Sequence, residues 1–315
     1  MTSQPPEHGR RRAPIADSYN DANALFRFLS HLGWGDLVNI GYFTWPALPA
    51  VLGGLGWFQR RLLHRSLALL DARPGHRVLD ACCGRGLSTA TLGEAGCAAL
   101  GLDVQDEQIA EARRRFGDRP NTRFAVADVT ALPPRAADVE LADGTFDRVH
   151  CLEAAFHFGP DGRRAFLAES FRLLRPGGRL VLVDLTWPTA DPGTIDTADP
   201  TGLVRSAWCF EDLEPLPRYL THAAEVGFTV RAVHDWTRPV VRLPLGLMKP
   251  APRLVATEAG RRALCLRWPG LRELTRDDWA EVVTSVRAHL VFGRACRYSA
   301  LVLDRPGPAG SGGVR

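Results

Sequence analysis

Lysine is all but missing from this chain: of 39 Lys and Arg residues, Lys249 is the one lysine. The bias towards arginine reads as the base composition of a GC-rich bacterial genome. Long blocks of one charge are missing as well, and a formal net charge of +4 over 315 residues gives no strong pull towards nucleic acid or membrane. A small-molecule partner is the expectation that remains. The seven cysteines contain no CxxC pair, and an odd, scattered set excludes a disulfide framework and fits a reducing cytoplasm. The start, MTSQPPEHGRRRAP, has arginines but no apolar segment after them, so a secretory signal is not expected. An unbroken membrane span is missing too. From Leu37 to Gln59 no residue is charged, but Pro46, Pro49 and Gly41, Gly53, Gly54 and Gly56 interrupt the run. It reads as a mobile cover over an apolar pocket, without stable membrane insertion. No internal repeat is present.

What is there is a chain with 45% hydrophobic residues, enough to bury a sizeable core. Residues 1–20 and 306–315 are polar or Pro/Gly-rich and read as disordered tails. Residues 21–72 read as an N-terminal helical cap ending in FQRRLLHRSLALLDA. Short β-rich runs then follow: RVLDAC, AALGLDV, TRFAVADV, FDRVHCL and GRLVLVDL, with helical stretches such as DEQIAEARRRF and RRAFLAESFRLL between several of them. Strands alternating with helices predict a parallel sheet covered on both faces. Residues 73–305 therefore read as one α/β domain, with cap insertions at about 188–215 and 238–292 and a closing strand CRYSALVLD. None of the eight tryptophans lies between positions 58 and 186. They serve either a cap core or a bulky apolar substrate pocket.

The stretch LDACCGRG places two adjacent cysteines ahead of a glycine turn. RVLDA reads as a buried strand, and CCGRG as a tight turn into the helix LSTATLGEAG, where small side chains let backbone approach a ligand and helix-start amides attract anionic groups. Cys82 and Cys83 are small enough to fill that turn. No His or Cys stands at a spacing that would complete a metal site, so none is expected. GRGLST also fits the start of a dinucleotide fingerprint. Asp103 ends the second strand, 17 positions after Gly86, where a carboxylate accepts both hydroxyls of a ribose or caps a helix.

Val78 to Gly86, VLDACCGRG, resembles motif I of the class I S-adenosylmethionine (SAM) dependent methyltransferases, VLDxGCGxG, with Cys82 in place of the first glycine. Further landmarks keep the family order over about 110 residues. DVQDEQ from Asp103 resembles the ribose and adenine segment, Ala127-Asp128-Val129 the acidic adenine motif, and LLRPGGRL from Leu173 the turn before the fifth strand. The resemblance implies a Rossmann-like seven-stranded doubly wound sheet and SAM as cofactor. Asp80, Cys82 and the Gly84 to Gly86 backbone would surround the methionine end, and Asp103 with Val104 the ribose. Gln108 and Val129 would flank adenine, and Asp128 would accept from its amino group. Val38-Asn39-Ile40-Gly41-Tyr42-Phe43 is similar to the LNxGYW sequence that precedes the core in quinone, sterol and secondary-metabolite methyltransferases, which adds Tyr42 to the cofactor residues.

After the fourth strand comes CLEAAFHF, at the carboxyl edge where open α/β sheets bind ligands. It lacks the Asn/Asp-Pro-Pro-Tyr sequence of enzymes that methylate nucleic-acid nitrogens and resembles the EAxxH variant of small-molecule methyltransferases. His157 is then the expected general base, oriented by Asp184 at the end of the fifth strand. The bland alternatives are a packed, hydrogen-bonded histidine and a loop cap. The resulting expectation is a cytoplasmic, bacterial enzyme of secondary-metabolite or antibiotic biosynthesis. It would methylate a hydroxyl or nucleophilic carbon of a small, fairly apolar acceptor, as a monomer or homodimer. Two alternatives are a methyltransferase fold that uses bound SAM for cyclisation or other non-methylating chemistry, and a non-catalytic binding protein.

Overall fold

The structure, a computed structural model, describes residues 23–35, 37–191 and 193–307, save the side chain at 48. The tails expected at 1–20 and, from 308 on, at 306–315 lie outside the described residues. The first helix, α1 (Ala24–His31), starts at Asn23, whose side chain accepts the Leu25 amide at 2.8 Å and satisfies an orphan helix donor. A 3₁₀ segment over Trp45–Gly53 follows, held to that tight form by Pro46 and Pro49. Then comes α2 (Gly56–Leu69), whose Phe58, Leu62 and Leu63 are buried along one stripe.

The α/β part runs β1 (Arg77–Ala81), α3 (Leu87–Glu94), β2 (Ala98–Asp103), α4 (Asp106–Phe116) and β3 (Thr122–Val126). A small hairpin of β4 (Arg135–Ala136) and β5 (Val139–Glu140) leads to β6 (Phe146–Leu152), α5 (Gly159–Leu173) and β7 (Leu174–Thr186). Next come α6 (Gly193–Ala198), α7 (Leu203–Ala207), α8 (Leu216–Val226) and β8 (Thr229–Asp235). After a π turn, α9 (Leu243–Met248), α10 (Ala251–Ala256), α11 (Glu258–Arg267) and α12 (Arg276–Ala295) precede β9 (Arg297–Asp304).

Seven strands form one sheet in the order β3-β2-β1-β6-β7-β9-β8, a Rossmann-like doubly wound arrangement. Successive residues of β7 alternate between its faces: Leu180 and Leu182 join the core under α5 and α8, while Val181 and Val183 join the core that includes Leu62 of α2. A third core packs α1 against α12 through Phe28, Val282 and Trp279.

One correction concerns direction. The sheet is not wholly parallel, because β9 runs antiparallel to both β7 and β8. Asp235, where β8 ends, pairs with Ser299 near the start of β9, so the helical excursion between them leaves and rejoins the sheet at the same edge. A strand entered from that edge has to run back.

Candidate active site

The carboxyl ends of β1, β2 and β6 converge on a cleft of about 140 Å³. Its floor is the glycine turn. Cys82 (φ +58°), Gly84 (φ +52°) and Gly86 (φ +84°) all adopt left-handed backbone, which an L side chain occupies at a cost of about 1–2 kcal/mol. A Cβ on Gly86 would lie 2.7 Å from the Phe124 ring and 2.8 Å from Ala112, so here only glycine fits. Cys82 packs partly buried, and Cys83 is buried against Ile109 and Phe124. The Cys151 thiol and burial push Cys82 well up, and burial pushes Cys83 well up, so neither is a thiolate. Among the described residues no group of His, Cys, Asp or Glu side chains is placed to hold a metal ion.

Asp103 closes the turn from the side. Its Oδ2 accepts the Gly84 amide at 3.0 Å and its Oδ1 the Gln105 amide at 3.0 Å, while burial raises its pKa. Asp80 is buried beneath the cleft, where its Oδ2 accepts both the Ser88 hydroxyl at 2.5 Å and the Thr89 hydroxyl at 2.6 Å. Its Oδ1 also meets His150 Nδ1 at 2.8 Å, and His150 Nε2 in turn meets Ser66 Oγ of α2 at 3.0 Å. Asp80 thus ties four elements together as well as facing the cleft.

Of the residues expected to hold the cofactor, Asp80, Cys82, Gly84, Asp103, Val104 and Gln108 line this cleft. Gly86 is not among the lining residues and packs against Phe124 and Ala112. Asp128 does not line it; its Oδ1 accepts the Thr130 amide at 2.8 Å and hydroxyl at 2.6 Å. Val129 is packed into the core and does not line it either. Tyr42 is a clear correction: its ring packs edge-on against Trp236 at 5.6 Å, with the Arg65 guanidinium 4.3 Å above it, away from the cleft. The same segment does contribute, through Asn39. Asn39 Oδ1 and Gln108 Oε1 are buried acceptors at the cleft without a hydrogen-bond partner among the described residues. Two orphan acceptors beside Asp80, Asp103 and Glu153 fit a ligand that brings positive charge and N–H or O–H donors, as a sulfonium nucleoside does.

On the other side of β6 lies a second chamber of about 320 Å³, walled by α1, α9, α10 and α12 and by aromatic side chains including Phe28, Trp208, Trp268 and Phe292. Among the described residues it is lined by no Lys, Arg or Asp, and its one carboxyl is Glu153. His289 in its wall is uncharged: Trp208 Nε1 donates to its Nε2 at 2.7 Å, its Nδ1 donates to the Ser285 carbonyl at 2.7 Å, and burial lowers its pKa.

Glu153 is the residue both chambers share. It follows β6 in left-handed backbone (φ +50°), a strained posture for a side chain of that size. The Ile40 amide donates to its Oε2 at 3.0 Å and the Tyr298 hydroxyl to its Oε1 at 2.6 Å. Burial pushes its pKa up to about 7 against the pull of those two donors. Sequence reasoning had the residue in view, in the Glu-Ala-x-x-His stretch, but gave the base role to its neighbour.

His157 lines the cofactor cleft, with Nδ1 3.1 Å from the Cys209 carbonyl and its pKa lowered to about 4 by burial. The expected pairing with Asp184 does not form. Asp184 is fully buried, accepts the Leu185 amide at 2.9 Å and the Tyr219 hydroxyl at 3.2 Å, and burial pushes its pKa up to about 8. Its strand turns that side chain into the sheet's packed face instead of the crevice.

A methyltransferase-domain family model matches residues 78–178. Methyltransferase GfsG of Streptomyces halstedii is 32% identical over 234 residues, which cover 71% of this chain and 77% of that protein. Among solved structures, geranyl diphosphate methyltransferase in complex with SAM aligns at a TM-score of 0.58 and 18% identity, over 85% of this chain and 98% of that one. The [4+2]-cyclase SpnF aligns at a TM-score of 0.64 and 17% identity, over 90% and 94%. At those identities the two structures speak for the fold.

Proposed function

The chain belongs to the class I SAM-dependent methyltransferases of secondary-metabolite type, with SAM as cofactor, and on this footing we propose that it methylates a small, apolar, uncharged acceptor at a hydroxyl oxygen or a nucleophilic carbon. The observation that carries the reading is Glu153, among the described residues the one carboxyl facing both the cofactor cleft and the aromatic chamber. Bound SAM supplies the electrophilic methyl group. The chain's own part is to hold the acceptor against it and to take a proton. Asn39, Gln108 and Asp103 hold the nucleoside side, and the aromatic wall excludes water from the acceptor, so that most of the acceleration comes from holding the reacting atoms close. Glu153, when ionised, accepts the acceptor's proton at Oε2 while Tyr298 steadies Oε1. His157 stays a neutral imidazole on the cofactor side.

Among the described residues the chamber wall carries no Lys or Arg, which argues against a phosphorylated or carboxylate acceptor, whose charge would be buried unpaired. Purified protein, methyl-labelled SAM and an extract of the source organism test this. Label is expected in a product that leaves water at neutral pH, and SAM binding by calorimetry is expected to vanish in Asp103→Ala. Label in an anionic product would overturn the charge assignment. A consumed acceptor with no label transferred would favour cyclisation over methylation.

A further inference from the structure

We propose that the outer face of the N-terminal cap docks on an anionic lipid surface, so that an apolar acceptor passes from the bilayer into the chamber behind it. Three of the largest exposed hydrophobic side chains lie close together in sequence here: Trp45 is 64%, Leu52 61% and Trp57 51% exposed. The same 3₁₀ segment is the chamber's wall, since Val51 and the adjoining Leu55 line the cavity while Leu52 between them faces out. One turn of chain separates the apolar interior from the exterior.

Charge decides the occupant. Between Leu37 and Leu70 there is no Asp or Glu, whereas α2 carries Arg60, Arg61, His64 and Arg65 directly after Trp57. Arg61 lies 5.2 Å over the Trp57 ring and 5.6 Å over Tyr42, and Arg65 lies 4.3 Å over Tyr42, so both guanidinium groups sit close to the aromatic patch. Tryptophan with arginine and no acid is the composition of a segment that rests in the headgroup region, where rings sit at the interface and guanidinium groups meet lipid phosphates. Docking of this kind is peripheral. No helix among the described residues is long and apolar enough to cross a membrane.

The acceptor's route rests on the reading of the chamber given above; the docking itself is measured without acceptor or SAM. The full chain is sedimented with phosphatidylcholine vesicles and with vesicles that also contain phosphatidylserine. Binding at least about tenfold stronger to the anionic vesicles is expected, weakening as salt is raised. The triple variant Trp45→Ser, Leu52→Ser, Trp57→Ser is expected to lose binding to both vesicle types. Arg60→Glu with Arg65→Glu is expected to lose only the anionic preference. Calorimetric SAM binding in each variant reports intact folding. Equal sedimentation with and without phosphatidylserine overturns the proposal, as does wild-type behaviour in the triple variant. A homodimer that dissociates in the triple variant would identify the face as a subunit contact and overturn it as well. Failure of vesicle binding leaves methylation of a detergent-dispersed acceptor intact, so the two readings fail separately.

Discussion

Glu153 concentrates the chemistry of this molecule in one side chain. Its strained backbone costs on the order of 1–3 kcal/mol and persists because Val183 holds its amide at 2.7 Å while Ile40 and Tyr298 hold its carboxyl. With a pKa of about 7 it is divided between acid and base near neutrality, which suits a group that must take a proton and later release it. For a hydroxyl acceptor, Glu153→Gln is expected to lower kcat by about a hundredfold while weakening SAM binding far less. The rise of kcat through pH 7 should disappear in that variant. Steady-state kinetics over a pH series, with calorimetry for SAM, check both, and an unaltered pH profile in Glu153→Gln would remove the carboxyl from the reaction. Glu153 was visible in sequence only as part of a motif. Its partner Tyr298 lies 145 positions away, and nothing local announces the left-handed turn that aims the side chain between two chambers.

Local patterns read well wherever the signal was itself local. DEQIAEARRRF is α4 residue for residue: acids in its first turn, arginines in its last, and Ile109 and Ala112 buried three apart. The apolar runs at β2 and β7 are likewise strands, because a strand buried on both faces is apolar at most positions, whereas buried β1 and β6 carry Asp80 and His150 as a hydrogen-bonded pair. The direction of β9 was not legible, since CRYSALVLD reads the same whichever way it runs. Nor was the side-chain sorting of Asn39 to Phe43, where Asn39 enters the cofactor cleft, Ile40 and Phe43 reach the apolar chamber, and Tyr42 leaves both for Arg65. The glycine turn was legible in shape, and its odd member is open to test. Cys82 sits at φ +58° where the resembling motif has glycine. Cys82→Gly relieves left-handed strain of about 1–2 kcal/mol and costs about 0.5–1 kcal/mol in unfolded-state entropy. Thermal unfolding is therefore expected to show stability unchanged or higher by up to about 1.5 kcal/mol, with SAM binding retained. A tenfold or greater loss of SAM affinity would give the thiol a part beyond filling space.

Burying carboxyls and histidines at the junction of sheet, cleft and chamber has a consequence for the folded state as a unit. Glu153 moves from 4.5 to about 7 and Asp184 from 3.8 to about 8 on folding. Between those limits the folded chain keeps protons that the unfolded chain has released, so each carboxyl makes stability fall as pH rises, by about 1.4 kcal/mol per pH unit. His157 acts in the opposite sense. Its pKa drops from 6.5 to about 4, so between those values the unfolded chain binds the extra proton and stability climbs with pH. His289 is lowered as well and adds to that climb. The histidine contributions end near pH 6.5, above which only the carboxyls act: both up to about pH 7, then Asp184 alone to about pH 8. Unfolding by urea at a series of pH values is therefore expected to show maximal stability at or below about pH 6.5 and a loss of about 2–3 kcal/mol by pH 8. Asp184→Asn keeps the Tyr219 contact and should flatten the limb up to pH 8, whereas Glu153→Gln should flatten only the part below about pH 7. Stability that rises from pH 6.5 to 8 would mean that these carboxyls are ionised in the folded protein, and with them would go the picture of a dry junction in which a single half-ionised acid receives the acceptor's proton.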